Sequence, residues 1–316
     1  MRKTLLQDNL KLGTIGLGCM SMSHAYTPLE RDDAESISVI HRAIDLGVQL
    51  FDTADIYGPF TNEELLGKAL NGRREQVTIA TKCGLITQPD GKLDRNGRPK
   101  YIRAACEGSL RRLQTDVIDL YQLHRVDPEV PLAETWGAMA ELVAEGKVRA
   151  LGFSHGTVEE LETAHAVFPI SATQYELSIW AAYTKEDVLP WCAERGIAFL
   201  AFSPIGRGFL TGTLNGSRFD GDDSRSRDPR FTSDAMAANQ AIVDGVRAVA
   251  GRTGATPAQV AIAWVLAQGE QVIPIPGTKK VHKLEENFAA AEVKLSDDDI
   301  RDLAALPVPA GHRRWN

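Results

Sequence analysis

The sequence predicts an α/β fold of one kind: a single (β/α)8 TIM barrel spanning 1–316, with extra helices at its C-terminal end. Three observations carry this. Short apolar runs alternate with longer helical patterns, and there are eight such runs. The runs are dense in Val, Ile, Leu and Phe, as strands buried on both faces of a parallel sheet are. The first strand-to-helix turn, Gly16-Leu17-Gly18-Cys19-Met20-Ser21, lacks GxGxxG, and no GxxxxGK[ST] loop occurs. An open doubly wound sheet is the alternative, but eight β/α units favour closure.

The strand candidates are 13–18, 50–54, 77–82, 118–124, 148–154, 172–176, 197–203 and 271–276. Between them lie helical patterns at 33–46, 61–70, 103–113, 132–144, 158–166, 184–195, 233–250 and 257–268. Gly47 and Gly196 follow two of these as C-terminal stops. Thr61 with Glu64 reads as a capping box, and Thr256 as a cap with Pro257 at the first helical position. Two further helices, 281–291 and 297–305, follow the last strand. The long connection 207–230 breaks the rhythm. Its Arg218, Arg225, Arg227 and Arg230 are offset by Asp220, Asp222, Asp223 and Asp228, which reads as a solvated loop.

Composition narrows the function. The 316 residues are 43% hydrophobic, enough for a large core without disulfides or metals. Thirty-five basic against 42 acidic residues give a net charge of −7, which argues against general nucleic-acid binding. Cys19, Cys83, Cys106 and Cys192 form no CxxC pair or zinc pattern, so reduced thiols and no metal are expected. No run is long and apolar enough for a membrane helix, and the N-terminus has no apolar signal region. A cytoplasmic protein, either a monomer or a homo-oligomer, is the expectation.

Barrel chemistry sits at the C-terminal ends of the strands. There the sequence places Asp52, Lys82 and His124 at the ends of the second, third and fourth strand runs, with Tyr57 on the loop after the second. A tyrosine is a weak acid near neutral pH, and an adjacent ammonium lowers its pKa. A carboxylate keeps that ammonium charged and fixed. A histidine can hold a substrate oxygen. Together they suit protonation of a carbonyl oxygen as its carbon accepts hydride.

The stretch Asp52-Thr53-Ala54-Asp55-Ile56-Tyr57-Gly58, with Lys82 and His124, resembles the aldo-keto reductase superfamily. So do Gly16-Leu17-Gly18-Cys19-Met20, Asp119-Leu120-Tyr121-Gln122-Leu123-His124-Arg125, Ala201-Phe202-Ser203-Pro204-Ile205-Gly206-Arg207-Gly208, Ile275-Pro276-Gly277-Thr278-Lys279 and Leu284-Glu285-Glu286-Asn287, in this order across almost the whole chain. The resemblance implies an NADPH-dependent reductase of a small-molecule aldehyde or ketone. Tyr57 would be the general acid, Lys82 and Asp52 would tune it, and His124 would orient the carbonyl. Gly18, Cys19, Met20 and Asp52 would border the cofactor, and Ser154 and Gln174 would hold the nicotinamide carboxamide. Phe202 would stack on the ring, and Ser203, Pro204, Ile205, Gly206, Arg207 and Gly208 would line the pyrophosphate. Gly277, Thr278, Lys279 and Lys283 would surround the 2′-phosphate, where loop and helix N–H groups also favour an anion. Glu286 and Asn287 would read the adenine. Met20, Met22, Leu85 and Trp180 are candidate pocket walls beside Tyr57 and His124.

The chain departs from many members in three places. Ser154 is followed by His155 instead of Asn, Gly277 stands where a lysine often precedes the phosphate-binding hydroxyl, and the tail after Leu306 is short. Two other readings compete: an NADP(H)-binding redox sensor with little turnover, and a Schiff-base lyase using Lys82. The lyase needs a neutral lysine, which Asp52 disfavours.

Overall fold

The computed structural model describes residues 10–26, 31–88, 90–214, 217, 219, 221 and 223–311. Eight parallel strands form one sheet: β1 (Leu17–Gly18), β2 (Leu50–Asp52), β3 (Thr78–Cys83), β6 (Ile118–Leu123), β7 (Val148–Ser154), β8 (Ala172–Glu176), β9 (Ala198–Phe202) and β10 (Val272–Pro274). The sheet curls until its ends meet. Gly16 and Gly18 donate backbone hydrogen bonds to Pro274 and Pro276 at 3.0 and 3.2 Å, and Gly18 bridges Gly277. Only glycine fits this seam: a Cβ on Gly18 would stand 2.8 Å from the Ile275 carbonyl oxygen, and one on Gly277 2.9 Å from that of Gly18.

Outside the sheet lie α1 (Asp33–Asp45), α2 (Thr61–Ala69), α3 (Pro99–Leu113), α4 (Leu132–Ala144), α5 (Val158–Val167), α6 (Val188–Arg195), α7 (Ser233–Ala238), α8 (Gln240–Thr253), α9 (Pro257–Leu266), α10 (Val281–Ala289) and α11 (Asp297–Ala304). Their apolar faces and the outward strand residues make the main core, which includes Val39, Ile79, Trp136 and Val260. Inward residues make a second core inside the barrel, with Leu50, Ala80, Leu120, Ala150, Ala172 and Leu200 among its members.

All eight predicted strands are present, most of them shorter than expected; the first shrinks to Leu17–Gly18. A hairpin of β4 (Leu85–Thr87) and β5 (Leu93–Arg95) was not expected. The expected capping box at Thr61 does not form. Phe60 takes the N-cap position with φ 68°, and Thr61 lies inside the helix, its hydroxyl donating to the Gly58 carbonyl at 2.7 Å. Thr256 does cap α9, reciprocally with Gln259. The expected helix 233–250 breaks into α7 and α8 at Asn239.

The described part of the connection 207–230 is more ordered and more buried than a solvated loop. Short 3₁₀ turns run over Gly206–Thr211, Ser224–Arg227 and Pro229–Phe231. Arg230 is 1% exposed and pairs with Glu176 and Asp228, both at 2.8 Å. Arg225 pairs with Asp223 at 2.7 Å. Arg218, Asp220 and Asp222 lie outside the described residues.

Candidate active site

Strand periodicity builds the site. Successive strand residues alternate sides, so the residue two beyond each interior core position also faces inward. Two beyond Leu50, Ala80, Leu120, Ala150 and Ala172 stand Asp52, Lys82, Gln122, Gly152 and Gln174. Apolar filling therefore gives way to a polar layer at the C-terminal mouth of the barrel.

That layer is tightly bonded. The Lys82 ammonium has no exposed surface; it donates to Asp52 Oδ1 at 2.7 Å, to the Thr53 carbonyl at 2.8 Å and to the Tyr57 hydroxyl at 3.3 Å. Asp52 Oδ2 accepts from Gln174 Nε2 at 2.7 Å and from Gln122 Nε2 at 3.3 Å. Gly152 makes room for this, because a Cβ there would stand 2.6 Å from Gln122 Cγ. Gln122 was not singled out in the sequence, and its signal was the two-residue step from Leu120.

Tyr57 sits on the loop between β2 and α2. The positive φ of Gly58, 69°, turns the chain behind it. A Cβ on Gly58 would stand 2.4 Å from Thr61 Oγ1 and 2.8 Å from the Ser23 carbonyl oxygen. Rings surround the phenol: His24 stacks at 5.9 Å between centroids, and His124 meets it edge-on at 6.0 Å.

Burial raises the Tyr57 pKa, and the Lys82 charge only partly opposes this. The expected lowering is thus reversed, and the phenol keeps its proton. Burial is the largest single influence on Lys82 and pulls it down, but Asp52 and Tyr57 together outweigh it, so the net direction is up and the ammonium stays charged. Burial, then Arg125 and Lys82, hold His124 well below the usual histidine range, so its ring is neutral. Its Nδ1 is buried with no hydrogen-bond partner among the described residues.

Several of the other predicted residues lie on strand ends and on the turns that follow them. Ser154 ends β7 and accepts from Arg125 Nη1 at 3.4 Å. Phe202 ends β9, half-buried, with His155 at 5.2 Å between ring centroids. Ser203, Gly206, Arg207 and Gly208 all have positive φ, between 52° and 93°. The turn is closed internally, with the Gly206 N–H donating to the Ser203 carbonyl at 2.9 Å and the Gly208 N–H to the Ile205 carbonyl at 3.1 Å. Pro204 and Gly206 are buried and Ile205 packs against the core.

On the barrel's far side, Gly277 and Thr278 follow the seam. Thr278 Oγ1 accepts from the Lys280 N–H at 3.1 Å. Lys283 pairs with Glu286 at 2.7 Å, Lys280 with Glu35 at 2.7 Å, and Asn287 is buried. Gly18, Cys19 and Met20 lie between this end and Tyr57.

Met20 and Leu85 pack beside Tyr57, half-buried. Met22 and Trp180 differ from expectation. Met22 has no exposed surface, and Trp180 stacks on Phe209 at 4.7 Å within the core. Both back the wall instead of lining it. No group of three or more metal-ligating side chains occurs among the described residues, and no helix there is long and apolar enough to cross a membrane.

A model of the Aldo/keto reductase family matches residues 14–307. The chain belongs to the aldo-keto reductase family. A probable aldo-keto reductase 1 of Glycine max is 43% identical, covering 97% of this chain and 92% of that protein. The glycerol dehydrogenase of Gluconobacter oxydans superposes with a TM-score of 0.87 at 31% identity, covering 95% and 93% of the two chains. An aldo-keto reductase of Klebsiella pneumoniae, solved in complex with NADPH, gives 0.77 at 26% identity, covering 98% and 96%. Aldo-keto reductases are carbonyl-reducing oxidoreductases that use NADP(H), and this chain is an oxidoreductase of that family.

Proposed function

We propose that the protein is an NADPH-dependent reductase that converts an aldehyde or ketone to an alcohol, with Tyr57 as the proton donor. The observation that carries this is the buried Asp52–Lys82–Tyr57 chain, at 2.7 and 3.3 Å, ending on a phenol that keeps its proton.

The residues present suit a dinucleotide laid across the barrel mouth. Phe202 offers a ring face, the turn with positive φ at Ser203 and Gly206–Gly208 follows it directly, and Thr278, Lys279 and Lys283 offer a hydroxyl and two ammonium groups, that of Lys283 bonded to Glu286 at 2.7 Å. Ser154 and Gln174 would hold the carboxamide, Gln174 with its Nε2 already bonded to Asp52 at 2.7 Å. NADPH, when bound, supplies the hydride.

The chain's own residues manage the proton. Tyr57 donates its hydroxyl hydrogen to the carbonyl oxygen. Lys82, fixed as a cation by Asp52, stabilises the tyrosinate left behind. Gln122 and Gln174 hold Asp52 so that Lys82 stays aimed at the phenol. Neutral His124 can donate one hydrogen bond to the substrate oxygen without competing to protonate it.

The test is NADPH consumption with an activated aromatic aldehyde, on wild type and Tyr57→Phe. The variant is expected to lose about 10²–10⁴-fold in kcat with NADPH affinity unchanged. Equal rates would remove Tyr57 from the role of donor. Tight NADPH binding without wild-type turnover on any carbonyl would favour a redox sensor.

A further inference from the structure

Arg125 directly follows His124 at the barrel mouth, and no step above uses it. Its ion pairing sets it apart. Among the described residues, every other arginine that is not exposed lies within ion-pair distance of a carboxylate: Arg112 has Glu63 at 2.7 Å, Arg74 has Asp119 at 2.6 Å, Arg230 has Glu176 at 2.8 Å. Half-buried Arg125 has none.

Among the described residues only its Nη1 finds acceptors, the His124 carbonyl at 2.5 Å and Ser154 Oγ at 3.4 Å. Neither acceptor is charged. The Nε and Nη2 edge makes no hydrogen bond among the described residues, and that edge is the fork that meets both oxygens of a carboxylate.

The guanidinium charge is felt in the site itself. It opposes the rise of the Tyr57 pKa and lowers those of His124 and His155. Burial brings Arg125 itself down to about 10, as expected of a cation left without an anion. The other groups beside the reacting position leave that charge uncompensated: Lys82 and Asp52 cancel, while Tyr57 and His124 are neutral.

We propose that Arg125 is a specificity residue that binds a carboxylate on the substrate, so that the preferred substrates are aldehydes or ketones carrying a carboxylate near the carbonyl. This rests on the carbonyl-reductase reading above. A partly desolvated cation costs stability unless it is paired, and a substrate that brings the anion recovers that cost only when bound. A neutral carbonyl compound of the same shape leaves the cation unpaired.

The experiment compares para-carboxybenzaldehyde with its methyl ester, using wild type, Arg125→Gln and Arg125→Lys. Wild-type kcat/KM is expected to favour the acid by about tenfold or more, the worth of a charge-assisted hydrogen-bond pair. Arg125→Gln should reduce the acid-to-ester ratio by about 10–100-fold. Arg125→Lys, which keeps the charge but loses the fork, should fall between them. It also carries the test if the glutamine variant does not fold. Absence of an acid preference in wild type overturns the proposal. So does an equal loss on both substrates, which would mean that Arg125 only braces His124 and Ser154. A weakened NADPH affinity with an unchanged ratio assigns Arg125 to the cofactor and also overturns it.

If wild type reduces neither aldehyde, the carbonyl-reductase reading is what has failed. Calorimetric titration of benzoate into the NADPH-loaded protein then decides the Arg125 question separately. Binding weakened tenfold or more in Arg125→Gln supports the carboxylate site. No binding, or equal binding, ends it.

Discussion

Asp55 shows what a buried carboxyl without a counter-ion costs. Its side chain is 2% exposed, and Oδ1 has no hydrogen-bond partner among the described residues. Burial, then the nearby Glu63 carboxylate, raises its pKa to about 8. Glu63 itself is answered by Arg112 at 2.7 Å and the Thr81 hydroxyl at 2.6 Å. In the unfolded chain Asp55 would titrate near 4. Between those two values the folded state binds more protons, so stability falls as pH rises and levels off above about pH 8. Asp55→Asn should remove that slope. Urea unfolding at about pH 5 and about pH 9 would show the variant losing less stability than wild type. Equal losses would mean that Asp55 is ionised throughout. The sequence marked Asp55 only as part of the Asp52–Gly58 stretch. Its protonation depends on burial and on Glu63 and Arg112, which no local pattern brings together.

At the level of elements, strands were more legible than their connections. Parallel strands buried on both faces are apolar runs, and β7 and β8 were located to the residue. The β4–β5 hairpin escaped because β5 is Leu93-Asp94-Arg95, exposed throughout and without alternation. The Thr61 box failed because the chain arrives at α2 through the tight turn at Gly58, which puts Phe60 in the left-handed region and carries Thr61 past the cap position. Asp52, Lys82 and His124 could be read as strand ends. Gln122 and Gln174 share one further property: each lies two residues beyond an interior alanine or leucine. Gly152 is the matching blank position on β7. Gly152→Ala should therefore push Gln122 away from Asp52, lowering kcat by about 10-fold or more, since small misplacements at a reacting site are costly. NADPH affinity should be unaffected. Unchanged turnover would show that Gln174 alone suffices to hold Asp52.

Taken as a whole, the molecule hides its thiols. All four cysteines are free and buried. Burial pushes Cys106 and Cys192 up to about 12, and Cys19 and Cys83 rise too, with Asp52 and Asp55 adding to the respective shifts. A thiol-disulfide reagent should therefore label none of them in the native protein and four in guanidinium. Fast labelling of one in buffer would expose a local opening that the packing does not suggest. The closed ring that protects these side chains has one seam, at Gly18 and Gly277, and its two lips lie near opposite ends of the chain. During synthesis the ribosome delivers Asp52, Tyr57, Lys82 and His124 early and the closing strand last. Until residues 272–277 emerge, the growing sheet has two unpaired edges, and its reactive tetrad lies on an incomplete wall. A stop codon upstream of the seam would therefore yield a sticky fragment with every catalytic side chain and no enclosed mouth, prone to edge-to-edge association.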